Sequence, residues 1–224
     1  MAGGSGLRMG TQVPKQFLLL RGKPVLWHTL NVFLEAYEDL DIVLVLPEEH
    51  METGKAILYS TPSPERVRMV AGGPTRFQSV KNGLRYVEKD SVIFVHDGVR
   101  CLLTTALVHR CYEMAVEYGA AIPVIDSRDS VRLVTPEGNT AMDRSRVKLV
   151  QTPQTFLSGI LLPSFEVEYQ ELFTDEATVV EASGHKVRLV EGEPHNIKIT
   201  TPVDLVLAEQ LLKGAEPGSA GNPF

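Results

Sequence analysis

The chain has 224 residues, with 22 Lys and Arg against 28 Asp and Glu, giving a formal net charge of −6. That length suits a single α/β domain with an appendage, and the acidic balance excludes a global field that would draw in nucleic acid or an anionic membrane surface. With 43% hydrophobic and 22% charged residues the chain can bury a sizeable core, and its two cysteines, Cys101 and Cys111, exclude a disulfide scaffold or four-cysteine zinc site and suit reduced thiols in a cytoplasmic protein.

The N-terminus, Met1-Ala2-Gly3-Gly4, carries no signal-peptide pattern, and no apolar run approaches the ~18 residues of a membrane span. The run Ala2-Gly3-Gly4-Ser5-Gly6-Leu7-Arg8-Met9 is followed by Pro14-Lys15. Glycines let backbone approach a ligand, and successive N–H groups can cradle phosphate oxygens. The lysine lies outside the glycine cluster, so this is not a P-loop, and Met9 stands where a dinucleotide fingerprint needs its third glycine. Such a loop normally follows a strand. We therefore expect a natural chain with one more strand upstream.

Apolar spacing predicts a helix from Val25 to Tyr37, with Leu26, Leu30, Phe33 and Leu34 on one face. Strands follow at 41–46, closed by Pro47, and at 67–70, ending at Gly72-Gly73. Residues 76–87 again have helical spacing. The strand at 91–96 runs into Asp97-Gly98, a helix covers 104–118, and 119–124 is a further strand. This alternation predicts βαβ units in a Rossmann-like, three-layer α/β/α domain over residues 1–213 with a mostly parallel sheet. Its ligands would sit beyond the carboxyl ends of the strands. The rhythm breaks at 126–149, where 131–134 and 146–150 flank the turn residues Thr135-Pro136-Glu137-Gly138-Asn139 and predict a protruding hairpin arm. A lone hairpin is marginal in water, so it needs support from its own domain or from another subunit. Thr174-Asp175-Glu176-Ala177 has the look of a helix N-cap, 186–190 is a late strand, Pro202 opens a last helix, and the Gly- and Pro-rich tail 214–224 is expected to be mobile.

The motifs resemble those of sugar-phosphate nucleotidyltransferases. The glycine loop with Arg8-Met9 and Pro14-Lys15-Gln16 carries the first likeness. Ala71-Gly72-Gly73, Arg76, Ser79-Val80, Val95-His96-Asp97-Gly98-Val99-Arg100, Asp143-Arg144, Gln151-Thr152-Pro153-Gln154, Thr174-Asp175-Glu176-Ala177 and Asn196-Ile197-Lys198-Ile199-Thr200 narrow it to the cytidylyltransferases that act on 2-C-methyl-D-erythritol 4-phosphate. The resemblance implies that CTP and this polyol phosphate give a CDP-linked polyol and pyrophosphate, a step of non-mevalonate isoprenoid synthesis. It implies Arg8, Lys15 and Lys198 as the catalytic cations. Ala2, Gly3, Gly4, Gly6, Gly73 and Ser79 would hold CTP. Asp97, Arg100, Ser127, Arg144, Thr152 and Thr174 would hold the polyol phosphate. The arm would embrace a second subunit in a homodimer, and Arg144 would serve the partner's site.

The residues themselves add chemical reasons. A carboxylate at the end of a strand, such as Asp97, suits Mg²⁺, which takes few protein ligands and relies on phosphate and water oxygens. A guanidinium such as Arg144 grips phosphate bidentately. His96 reads as a hydrogen-bonded strand residue, because an ionised phosphate nucleophile needs no strong base. Pro74 supplies no backbone N–H. Cys101 reads as a packed thiol whose closeness to Asp97 suggests chemical modification as a probe. A ribitol-5-phosphate cytidylyltransferase is the nearest alternative. A non-catalytic nucleotide-binding module would be expected to lack one of Arg8, Lys15, Asp97 and Lys198, all of which are present, and the failed glycine fingerprint disfavours a dinucleotide oxidoreductase.

Overall fold

The computed structural model describes residues 1–3 and 13–214. The chain first makes a tight antiparallel pair, β1 (Leu19–Leu20) and β2 (Lys23–Pro24). Arg21 and Gly22 turn it at φ 52° and 77°, the two positive angles that a two-residue hairpin turn requires. The helix α1 (Val25–Ala36) buries the expected stripe of Leu26, Leu30, Phe33 and Leu34. Strands β3 (Ile42–Leu46) and β4 (Val67–Ala71) pair in parallel across a connection that contains α2 (Met51–Leu58). Helix α3 (Arg76–Leu84) starts from Thr75, whose hydroxyl accepts from Gln78 N–H. Then come β5 (Val92–Val95), α4 (Thr105–Tyr118) between the Thr104 cap and left-handed Gly119, and β6 (Ala120–Asp126).

The arm departs from the expected pairing. Strand β7 (Val131–Thr135) pairs with β8 (Gly138–Met142), Thr135 lying opposite Gly138, so only Pro136 and Glu137 separate the two strands. With so short a turn the return strand begins at once and the ladder is complete by Met142. Residues 146–150, predicted as the return strand, contribute β9 (Lys148–Val150) instead, which pairs with the far end of β6. A Lys148–Asp126 ion pair closes this foot of the arm. Beyond it lie β10 (Gln154–Leu157), α5 (Ser158–Ser164), α6 (Glu176–Ala182), β11 (Arg188–Glu191) and α7 (Pro202–Gly214). Asp175 caps α6 in a capping box with Thr178, as the acidic N-terminal pattern predicts. The tail from residue 215 onward, expected to be mobile, lies outside the described residues.

The main sheet runs β11–β6–β10–β5, with β9 continuing along β6 beyond β10. Strand β10 is antiparallel to both β5 and β6, while β11 and β6 are parallel. Hence β5, β6 and β11 share one direction, and β10 is the reversed strand inserted among them. Alternate residues face opposite layers. Ile93, Val95, Ile122, Val124 and Phe156 meet α3, α5 and α6 through Phe77, Val80, Leu161, Phe165 and Val180. On the other face Phe94 packs with Phe33 of α1 and Leu107, Val108 and Cys111 of α4. This is the three-layer arrangement the sequence predicts.

Between β3 and β5 lies a groove of about 960 Å³, lined by apolar residues such as Ile42, Leu44, Val80 and Ile93 together with charged ones such as Asp41, Arg68 and Glu88. Met1 and Ala2 close its end: Met1 N donates to His96 O at 2.6 Å, Gly98 N donates to Met1 O at 2.7 Å, and Ala2 N donates to Val45 O at 3.0 Å. Burial pushes the Met1 amine down to about 6, with Asp97 acting in the opposite sense. Among the described residues no helix is long and apolar enough to cross a membrane.

Candidate active site

Three chain segments meet where strands β4 and β5 end. After β4, Gly72 and Gly73 turn directly onto the start of α3. A side chain at Gly73 would place its Cβ 2.7 Å from that of Gln78, so only glycine fits. The Ser79 hydroxyl closes this turn, accepting from Gly73 N–H at 3.0 Å and lying 3.2 Å from Gly73 O. After β5, His96 and Asp97 are buried, and Gly98 passes so close to Ala2 that its own Cβ would lie 3.1 Å from the Ala2 Cβ. Gln16 Nε2 donates to Ala2 O at 2.9 Å and fixes the third segment. Together they wall a cavity of about 250 Å³, with Ala2, Gly3, Lys15, Gly73, Ser79, Asp97 and Lys198 on its lining, joined by Pro74, Thr75 and Arg76 at the α3 N-terminus.

Asp97 is the electrostatic centre. Lys198 Nζ lies 2.9 Å from its Oδ2, Arg100 Nε 3.6 Å from the same oxygen, and Arg76 Nη2 3.6 Å from its Oδ1. Burial opposes the charge of Asp97, but Lys198 foremost, and Arg76 after it, hold the carboxyl well below the usual carboxylate range. His96 beneath it is pushed down to about 3, chiefly by burial. The neutral ring lies 3.1 Å through Nε2 from Arg100 O and 2.9 Å through Nδ1 from the Thr152 hydroxyl. A carbonyl can only accept, so Nε2 carries the proton and Nδ1 accepts from Thr152. The Thr152 oxygen in turn accepts from Asp97 N–H at 3.1 Å. His96 is thus a structural strand residue, as the sequence suggests.

The structure brings together Ala2, Gly3, Lys15, Gly73, Ser79, Asp97 and Lys198. Gly4, Gly6 and Arg8 lie outside the described residues. Arg100 sits beside Asp97 but is turned into the protein, Nη1 donating to Asn196 O at 2.9 Å, so it orients Asp97. Thr152 is 5% exposed and engaged with His96 and Asp97, beneath the cavity and not on its lining. Thr174 is exposed just ahead of α6. Ser127 and Arg144 belong to the arm, where Ser127 Oγ donates to Asp129 O at 3.1 Å and Arg144 Nη1 to Arg128 O at 3.2 Å. Neither lines the cavity. Cys101 is 3% exposed and burial pushes its thiol up to about 12, which makes it a poor target for modification.

Sequence reasoning leaves Arg76 and its partner Glu176 without a role. Arg76 lines the cavity and forks onto the buried Glu176 carboxylate, Nη2 donating to Oε2 at 2.9 Å. The motif around Gly73 contains Arg76, but nothing in the sequence pairs it with a residue 100 positions away. Asp97 is the one carboxylate on the described lining, and no group of three or more His, Cys, Asp or Glu that could hold a metal occurs among the described residues.

A cationic cavity at the carboxyl ends of a three-layer α/β sheet, bordered by glycine turns, defines a nucleotidyltransferase-like domain. The family model described as IspD: 2-C-methyl-D-erythritol 4-phosphate cytidylyltransferase matches residues 1–214. Relatives carrying that enzyme name include one from Bacteroides thetaiotaomicron, 46% identical over 212 residues, covering 95% of this chain and 97% of the relative. Another, from Porphyromonas gingivalis, is 46% identical over 213 residues, covering 95% of each chain. Among solved structures, a 4-diphosphocytidyl-2C-methyl-D-erythritol synthase from Anaerococcus prevotii superposes with a TM-score of 0.81 at 29% identity, covering 95% of both chains. A 2-C-methyl-D-erythritol 4-phosphate cytidylyltransferase from Thermus thermophilus gives 0.74 at 32% identity, covering 95% of this chain and 96% of its own. The chain belongs to the 2-C-methyl-D-erythritol 4-phosphate cytidylyltransferase family.

Proposed function

We propose that the cavity around Asp97 is the centre at which this chain transfers the cytidylyl group of CTP to 2-C-methyl-D-erythritol 4-phosphate. The substrate phosphate oxygen forms a bond to the α-phosphorus as the bond from that phosphorus to the α,β-bridging oxygen breaks. The electron pair leaves with pyrophosphate. No proton need be removed from an ionised phosphate, which agrees with the neutral, hydrogen-bonded His96. The chemical problem is to bring two anions together and to stabilise charge on the phosphoryl oxygens.

The observation that carries this reading is the convergence of Lys15, Lys198 and Arg76 on one small cavity beside the Gly73 turn. Backbone groups of Ala2, Gly3 and Gly73, with Ser79, border the side suited to the base. Lys15 and Lys198 face the triphosphate, and the resemblance implies Arg8, outside the described residues, as a third cation. Lys198, anchored by its ion pair with Asp97, turns its remaining N–H donors to a phosphate oxygen when CTP enters. Asp97 would hold a Mg²⁺ ion only with help from phosphate oxygens, because it is the single carboxylate of the described lining. Bound there, the cation would neutralise phosphate charge.

The polyol phosphate is gripped by Arg144, with Ser127 and Thr174 nearby, and Arg144 comes from a second subunit. In support, every residue of β8 and all of β7 except Val131 are exposed in the single chain, including Leu133, Val134 and Met142. A bare hairpin of this kind gains its stability by packing on another surface. A homodimer closed by the two arms supplies that surface and completes each cavity. Two buried thiols, Cys101 and Cys111, suit the reducing cytoplasm.

The test is pyrophosphate release from CTP with either 2-C-methyl-D-erythritol 4-phosphate or ribitol 5-phosphate, with Mg²⁺ and with excess chelator. The reading expects release with the methylerythritol substrate and loss of it with chelator. Preference for ribitol 5-phosphate would overturn the substrate assignment.

A further inference from the structure

Glu176 is the first residue of α6 and Arg76 the first of α3, 100 positions apart. The Glu176 carboxylate is 1% exposed. Arg76 meets it with both Nη atoms, Nη1 to Oε1 and Nη2 to Oε2 at 2.9 Å. A fork of this kind fixes the plane of the guanidinium as well as its position. The same Nη2 stands 3.6 Å from Asp97 Oδ1, while Lys198 and Arg100 approach Oδ2. Each oxygen of Asp97 is therefore addressed from its own side, and the carboxylate cannot rotate without losing a cation.

Buried ion pairs are a poor source of stability, since apolar residues of similar volume often serve as well. A pair whose carboxylate is buried while its guanidinium stays partly exposed on the wall of a cationic cavity therefore calls for another reason. Arg76, Arg100 and Lys198 set three positive charges against the two of Asp97 and Glu176. Glu176 keeps Arg76 engaged, so that it does not swing onto an incoming triphosphate. The α6 end of the connection is itself fixed. Gln154 Nε2 donates to Asp175 Oδ2 at 2.9 Å and Ala177 N donates to Gln154 Oε1 at 2.8 Å.

We propose that Arg76, locked by Glu176, is a positioning residue: it sets the orientation of Asp97 and ties the nucleotide-side turn at Gly73 to the Thr174–Ala177 segment on the polyol side. The proposal rests on the transfer reaction proposed above. It differs from a direct contact in acting through Asp97, and its signature is non-additivity with a change at Asp97.

Kinetics of the full-length protein with CTP and 2-C-methyl-D-erythritol 4-phosphate test it, using the paired variant Arg76→Met/Glu176→Met, the single variant Asp97→Asn and the combined triple variant, with thermal unfolding of each. The paired variant removes both charges and is expected to unfold cooperatively near the wild-type temperature. Its kcat is expected to drop by about 10²-fold, the scale of a small misplacement of reacting groups, with KM for CTP changing much less. Adding Asp97→Asn to it is expected to cost no more than Asp97→Asn alone. Wild-type kcat in the paired variant, or losses that multiply with those of Asp97→Asn, would overturn the proposal. If the paired variant fails to fold, Glu176→Gln, which keeps shape and one hydrogen bond, is expected to lower kcat and to tighten CTP binding as Arg76 is released. An unchanged kcat and CTP affinity in Glu176→Gln would also overturn it. Absence of pyrophosphate release from the unaltered chain would defeat the transfer reading itself, an outcome distinct from wild-type turnover in the variants.

Discussion

The surroundings of Asp97 and the arm at 126–149 are opposites. Around Asp97 the charges are paired inside the chain: Lys198, Arg76 and Arg100 lie on the carboxylate, Thr152 on its backbone and Glu176 behind Arg76. On the arm, Arg144 donates to the Arg128 carbonyl, and Leu133, Val134 and Met142 are exposed. A preorganised centre costs little reorganisation when charge develops, whereas an exposed apolar hairpin is a surface awaiting another surface. One region has its charges paired within a single chain. The other leaves apolar side chains exposed, and the homodimer proposed above would cover them.

The largest losses are expected at the charged centre. Lys198→Ala or Lys15→Ala is expected to leave a folded protein whose kcat falls by about 10²–10³-fold, or about 3–4 kcal/mol of transition-state stabilisation. Circular dichroism and pyrophosphate release check this together, and near-normal turnover in both variants would mean that the reaction centre lies elsewhere. Thr152→Val tests the layer beneath. It orphans Asp97 N–H and His96 Nδ1, both buried, and is expected to cost about 1–3 kcal/mol in urea unfolding with some loss of turnover. An unchanged unfolding midpoint would show that the hydroxyl supports nothing.

A third prediction concerns pH. His96 is held down to about 3 by burial in the folded chain, against an ordinary 6.5 when unfolded. Below about pH 6.5 the unfolded state therefore takes up a proton that the folded state refuses. Stability is expected to decline as pH falls through this window, by about 1.4 kcal/mol per pH unit once well inside it. Comparison of urea unfolding at pH 6 and 4.5 should show a shallower slope in His96→Asn. Equal slopes would remove His96 as the source. The smallest effect on folding is expected at the arm. Leu133→Asp with Val134→Asp should change the stability of the isolated chain by no more than about 0.5 kcal/mol, yet sedimentation should shift from dimer to monomer. A dimer that survives would place the interface elsewhere.

Much of this was legible in the residues because special backbone and charge leave a mark in sequence. Gly72-Gly73 had to end a strand, Asp97 had to follow one, and the acids at 175–176 had to open a helix. The division of the arm was not legible. Both 138–142 and 146–150 can extend, and the pairing depends on a turn only two residues long together with the free edge of β6. The reversed strand β10 and the hairpin β1–β2 were likewise hidden, being short segments defined by their neighbours. Thr152 was legible as a hydroxyl near the site, but not as one turned inward onto His96. The Arg76–Glu176 fork, joining two helix starts far apart in sequence, is a product of tertiary packing alone.

Whether a cavity built on one chain is completed by the arm of another is decided by mixing Lys15→Ala and Arg144→Ala chains after each has been shown to be nearly inactive alone. A crossed arm leaves one intact site in every mixed dimer, so activity is expected to return to about one half of wild type per mixed dimer. If each arm served its own cavity, both sites of the mixed dimer would stay defective, so no recovery on mixing would show that the arms do not cross.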